Sequence, residues 1–320
     1  MRWLLALALL TGVGSAAIPL KTVARTPLPG AENRFDYESV DSTAHRLYIA
    51  HMDDDTLLVV DTRSRRVVKK IHAPGVHGVI AVPSLGRVYA SATNEHETLT
   101  IDSRTDSVLA RAPSGEYPDG LAFDPIERHV FVSDESGGVE TVLNAAGRRI
   151  ATISLGGDAG NVQYDRGSRM VLAAVQSRDV LAVIDPRTNR VVRTVSLPGC
   201  DHDHGLLVDA PRRLAFVACD GNATLLTLDL KTWKVRSSDE VGDDPDVLAF
   251  DTSLRRLYVA SEIGVLAVFA ERGRRLVKLG EAFLAPSAHS VAVDPATHRV
   301  YFPLERGTNG RPQLLVMAPR

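Results

Sequence analysis

His289-Ser290-Val291-Ala292-Val293-Asp294-Pro295-Ala296-Thr297-His298-Arg299-Val300-Tyr301 reads as one strand, a turn and a second strand. The apolar run stops at an Asp, whose side chain hydrogen-bonds its own backbone, and Pro presets the φ of the turn that follows. Arg-Val-Tyr then restarts a β-branched and aromatic run. The same unit recurs along the chain. Taking the end of each first strand as an anchor gives Asp41, Val82, Asp124, Asp165, Asp209, Asp251 and Asp294, which lie 41 to 44 residues apart. A period of that length with four short strands per unit is the signature of a β-propeller. The expected fold is therefore all-β, a seven-bladed β-propeller of four-stranded blades.

Within the first unit the strands are expected at Tyr37 to Val40, Arg46 to Ala50, Leu57 to Asp61 and Arg66 to Ile71. A polar turn beginning at Asp61 joins the last two and recurs at Asp102, Asn144, Asp185 and Asp229. The seventh unit runs through Val291, Tyr301 and Leu314 to Met317 and lacks a fourth strand. Lys-Thr-Val-Ala-Arg-Thr-Pro-Leu-Pro-Gly at 21–30 matches Val-Val-Arg-Thr-Val-Ser-Leu-Pro-Gly at 191–199, which closes the fourth unit. The N-terminal strand is therefore expected to complete the last blade, and closure of this kind removes open sheet edges. No linker or composition break separates the units, so 18–320 reads as a single domain. An anchor Asp that stands in nearly every unit serves the turn rather than chemistry.

The 320 residues carry 37 Lys and Arg against 39 Asp and Glu, a net charge of −2 spread evenly along the chain. No basic arm points to nucleic acid, and the few aromatics fall at core positions, which leaves no stacking platform for single strands. Residues 1–17 give one positive charge, an apolar run and a small-residue end, the pattern of a signal peptide. Ser15 and Ala17 place the cut after Ala17, and the apolar run is too short to span a bilayer. The chain is expected to be exported, periplasmic or secreted. In such a compartment Cys200 and Cys219, at the same end of two antiparallel strands, are candidates for a disulfide.

Arg46-Leu47-Tyr48-Ile49-Ala50, Arg256-Leu257-Tyr258-Val259-Ala260 and His298-Arg299-Val300-Tyr301, with turns Asp124-Pro125, Asp185-Pro186 and Asp294-Pro295, resemble the YVTN family of β-propeller repeats. Over roughly 20–320 the chain resembles the YncE-like proteins of that family. The resemblance implies an exported seven-bladed propeller and no single activity. Related propellers include lactonases, lyases and copper or quinone enzymes, so the fold does not carry the chemistry.

In a propeller the innermost strands line a central channel. The residue five before each anchor therefore falls near one channel mouth, giving Asp36, His77, Asp119, Gly160, His204, Asp246 and His289. Six of these seven positions are His or Asp. Imidazole nitrogen and carboxylate oxygen together suit a divalent metal ion as cofactor, and His204, Asp246 and His289, from neighbouring blades, are the candidate ligands. His202 and Asp203 stand beside His204, and loops between second and third strands add Asp134, Glu135, Asp220, Glu262 and Glu305, which should make the mouth negative. A metal site, a metal-free polar funnel and a solvated mouth without ligand all remain open.

Three functions follow. The first is an exported binding protein whose mouth holds a small ligand, a metal ion or an envelope protein partner. The second is a metal-dependent hydrolase or lyase using the same mouth, with His77 or Asp119 as acid or base. The third is an interaction module using a blade surface. No catalytic residue is assigned, and the chain is expected to be monomeric, without nucleic acid or a membrane span.

Overall fold

Second and third strands are continuous apolar runs, as in Arg46–His51 and Thr56–Asp61, and both of their faces are buried. Such runs fit a strand covered on both sides. The outermost strand, Arg66–His72, shows only Ile71 fully buried. The sequence thus dictates narrow sheets stacked face to face, with water reaching only their outer edges. The computed structural model, which describes residues 17–320, has that arrangement. Apart from Ala17, the leader expected over 1–17 lies outside the described residues.

Seven four-stranded antiparallel sheets stand in a ring, each ordered from an inner to an outer strand. The blades span 38–72, 76–113, 118–154, 159–196, 203–240, 245–283 and, for the last, 292–319 with the strand Leu20–Pro27. That N-terminal strand pairs with Gln313–Pro319, from Leu20 opposite Pro319 to Pro27 opposite Gln313. It closes the last blade as expected. The first-unit strands fall at Glu38–Asp41, Arg46–His51, Thr56–Asp61 and Arg66–His72, within a residue or two of the sequence reading. The core is a set of layers between blades. Tyr48, Ala50 and Val59 of the first blade, for example, pack with Val88, Leu99 and Ile101 of the second.

The anchor carboxylates hold turns. Asp41 Oδ1 accepts from the backbone N–H of Thr43 and Ala44, and Asp124, Asp165, Asp251 and Asp294 do the same two residues ahead. The residue before the second strand then takes a left-handed backbone, as at His45 (φ 55°) and His298 (φ 57°). Cys200 and Cys219 are bonded, with Cα atoms 5.4 Å apart, and tie the loop before the fifth blade's inner strand to the end of its second strand. Among the described residues no helix is long and apolar enough to cross a membrane.

Candidate functional site

The ring residues project toward the axis because the inner strands bulge there. Val76 and Val79 pair with Ala92 and Ala90, so three steps on the inner strand face two on its partner. The same shift occurs at Pro118/Leu121, Ala159/Val162, Asp203/Leu206 and Pro245/Leu248. A bulge kinks the strand and re-aims the side chain it carries. Here it carries His77, Asp119, Gly160, His204 and Asp246. The residue that follows often has to be glycine: a Cβ on Gly78 would lie 2.1 Å from the backbone oxygen of Asp119, and one on Gly205 would lie 2.2 Å from that of Asp246.

The six His and Asp positions form one alternating chain around six blades. His77 Nε2 lies 3.6 Å from Asp119 Oδ1 and 3.0 Å from Asp36 Oδ2. His289 Nε2 faces Asp36 Oδ2 at 3.8 Å and Asp246 Oδ2 at 3.9 Å, and Asp246 Oδ1 is 3.1 Å from His204 Nε2. The fourth blade, with Gly160, leaves the gap. Neighbours therefore contact each other, and no group has to reach across the channel.

Across the channel reaches a residue that the repeat count does not single out. Tyr37 follows Asp36 at the position occupied by Gly78, Gly120 and Gly205 in other blades. Its hydroxyl accepts from Asn161 Nδ2 at 2.8 Å and lies 3.3 Å from His204 Nε2. The ring thus spans from the first blade to the fourth and fifth. It divides the axis into an upper cavity of about 380 Å³ and a lower one of about 190 Å³. A large side chain at a position that favours glycine is the signal that would have found it. Arg34 is a second such residue: its guanidinium donates to Asp36 Oδ2 at 2.9 Å and Glu262 Oε1 at 2.7 Å. Gln176 is a third, receiving His204 Nδ1 at 2.8 Å and donating to Glu135 Oε1 at 3.1 Å.

The other sequence candidates divide into two groups. Glu262 approaches His289 Nδ1 at 3.2 Å, and Glu262, Asp246 and His289 offer donor atoms all within 4.8 Å of one another. This group takes in Glu262 where the sequence reading had His204, whose two ring nitrogens already face Gln176, Asp246 and Tyr37. His202 stays on the rim, paired with Asp220 at 2.7 Å. Glu305 sits near enough to His289 and Arg34 to feel both charges, although burial pushes its carboxyl up. Asp203 and Asp134 do not serve the mouth. Asp203 Oδ2 accepts from the backbone N–H of Val175, and Asp134 holds the N–H groups of Glu116, Tyr117 and Gly137.

Burial alone would discharge these groups, so their charge states follow from their neighbours. Burial pulls the imidazoles down, yet Asp119 and Asp36 lift His77 to about 9, Asp246 lifts His204 to about 10, and Asp36 and Asp246 lift His289 to about 9. Burial also opposes the charge on Asp36 and Asp246, but the histidines hold Asp36 well below the usual carboxylate range and depress Asp246. Asp119, with Asp36 and Glu135 adding to its burial, is pushed up to about 6. The upper cavity is acidic: Asp119, Glu135, Asp220, Asp244, Asp246 and Glu262 line it, against Arg34 as the sole lining Arg or Lys. A broader groove of about 700 Å³ on the outer rim, between Thr26 and Lys70, gathers no comparable set of polar groups.

No protein-family model matches the chain. Two curated relatives, from Salmonella typhi and from Salmonella typhimurium strain LT2, are each called YncE. Each is 30% identical over 104 residues, which is 32% of this chain and 30% of the relative. The chain thus spans under a third of the length of the curated relatives it matches. Over that segment the chain is similar to YncE, and the seven-bladed ring is consistent with a YncE-like propeller. A chain of Kuenenia stuttgartiensis hydrazine synthase superposes with a TM-score of 0.76 at 14% identity, covering 92% of this chain and 97% of that one. At that identity the likeness shows the fold alone.

Proposed function

We propose that this YncE-like propeller is an exported binding protein whose channel mouth captures a small, positively charged ligand. The observation that carries the reading is the blind, acidic upper cavity. Tyr37 forms its floor, and six carboxylates line its walls against Arg34 and the cationic His77 and His204, which leaves an excess of negative charge. Concave sites with a few convergent polar groups are the usual places for small ligands, and the sign of the lining selects cations. Export is supported by the leader pattern at 1–17 and by the bond between Cys200 and Cys219, which suits an oxidising compartment.

A hydrolase or lyase using this mouth would draw its acid or base from His77 or Asp119. Both are committed: they lie against each other, and His77 also holds Asp36. Binding without turnover therefore accounts for the geometry with fewer groups left over.

The test is calorimetry of the mature protein with small amines, with divalent cations and, as a counter-probe, with phosphate and acetate. Cations of at least one type should bind with one equivalent. Replacing Glu135 with Gln and Asp220 with Asn together should weaken them several-fold, because both carboxylates line the cavity. Binding of anions alone, or cation binding indifferent to the double change, would overturn the reading.

A further inference from the structure

We propose that a first-row divalent metal ion binds in the mouth between Asp246, Glu262 and His289; this deepens the binding reading above and rests on it. Donor atoms of the three residues lie within 4.8 Å of one another. An acidic group beside a histidine is common, but here the histidine is 1% exposed and its Nε2 has no hydrogen-bond partner among the described residues. Nδ1 lies 3.1 Å from the carbonyl oxygen of Ser287 and 3.2 Å from Glu262 Oε2. Nε2 instead faces two carboxylate oxygens, Asp36 Oδ2 at 3.8 Å and Asp246 Oδ2 at 3.9 Å. Those gaps are too long for hydrogen bonds. They suit pairs of donors that share an ion held at about 2.0–2.2 Å from each.

The surroundings orient the ligands. His204 takes Asp246 Oδ1 and leaves Oδ2 facing His289 Nε2, and Arg34 takes Glu262 Oε1 and leaves Oε2 beside Nδ1 of the same ring. Outer partners that fix one oxygen of each ligating carboxylate are a regular part of metal sites. The other two ring histidines lack this arrangement. His204 is held at both nitrogens, and His77 Nε2 already has Asp36 Oδ2 at 3.0 Å. One imidazole with two carboxylates favours Zn²⁺, Mn²⁺ or Co²⁺ over Ca²⁺ and Mg²⁺, which prefer all-oxygen shells. Ligation uses the Nε2 lone pair, so loading is accompanied by loss of the proton from that atom.

The experiment is titration of chelator-treated mature protein with Zn²⁺ alone by calorimetry, and with Co²⁺ followed by visible absorption. One equivalent of Zn²⁺ should bind. Glu262→Gln, at the partly exposed rim, should weaken it by about tenfold or more, and His72→Ala, on an exposed outer strand, should leave it unchanged. His289 is buried and its replacement risks the fold, so Glu262→Gln carries the affinity test. His289→Gln is then read only through the Co²⁺ bands, which should shift if the imidazole is a ligand. Absence of stoichiometric Zn²⁺, or an unchanged affinity in Glu262→Gln, overturns the proposal. If small amines still bind in that case, the binding reading stands and the metal is wrong; if neither binds, both fall.

Discussion

Arg34→Gln should make the mouth a better cation site. Arg34 reaches in from the loop between the closing strand and the first blade, and its guanidinium sits 2.9 Å from Asp36 and 2.7 Å from Glu262. It is a tethered cation occupying the site that a ligand would use. An ion beside Glu262 would lie about 5 Å from the guanidinium, and two unit charges at that distance repel by about 3 kcal/mol at an effective dielectric near 20. Arg34 is a third exposed, so solvent and salt reduce this to about 1.5–2 kcal/mol. Against the gain stands lost orientation: Arg34 also holds Glu262 Oε1, and releasing one carboxylate side chain costs about 0.5–1 kcal/mol. The repulsion wins by about 1 kcal/mol, a tightening of about fivefold. Calorimetry with a small monoamine, which carries a single charge, at low and high salt measures it, and the gain should shrink as salt rises. Arg306→Gln is the control, since Arg306 pairs with Glu32, at 3.5 Å on the rim. Unchanged or weaker binding by Arg34→Gln would refute the reasoning and make Arg34 a positioning group rather than a competitor.

Two further outcomes concern stability. Glu140 is fully buried, accepts from Ser133 Oγ at 2.9 Å through Oε1 and leaves Oε2 without a partner, and burial pushes its carboxyl up to about 8. Folded protein keeps a proton there that the unfolded chain has lost, so stability falls as pH rises from the unfolded value of about 4.5 and levels off above about 8. Glu140→Gln should match wild type at the acid end of that window and lead it by about 2–4 kcal/mol at the alkaline end; parallel urea midpoints across the window would contradict this. Reduction of the bond between Cys200 and Cys219, which closes a 19-residue separation, should cost about 3 kcal/mol. A melting midpoint that ignores reductant would show that the loop is held without it.

What could be read from the sequence was whatever repeats. Seven anchors set the blades, and counting five residues back from each found all six members of the ring; a bulge in the same register delivers His77, Asp119, His204 and Asp246 to the axis. What could not be read was whatever breaks the repeat. Tyr37 stands where other blades carry Gly78, Gly120 and Gly205, Arg34 comes from the loop preceding it, and their reach across blades depends on geometry that no period encodes. The sequence group of His204, Asp246 and His289 differs in one member from the donors that lie together, Asp246, Glu262 and His289, for a related reason. His204 and His289 look equivalent in the count, but Gln176 lies in a loop of the neighbouring blade and only its contact shows that His204 is already satisfied. Asp203 was misjudged because neighbouring strand residues point to opposite faces, which put it against the backbone of Val175.

The pairing of Leu20–Pro27 with Gln313–Pro319 also bears on how the ring is made. Every other blade is a local meander, able to form as soon as its own residues are available. The last blade joins segments almost 300 positions apart, so its closure carries the largest loop entropy in the chain and belongs at the end of folding. Until then the first and seventh blades each present a bare face, and the seventh also an unpaired edge at Gln313–Pro319. The interval before that final docking is when the protein is most exposed to swapping its first strand with another copy.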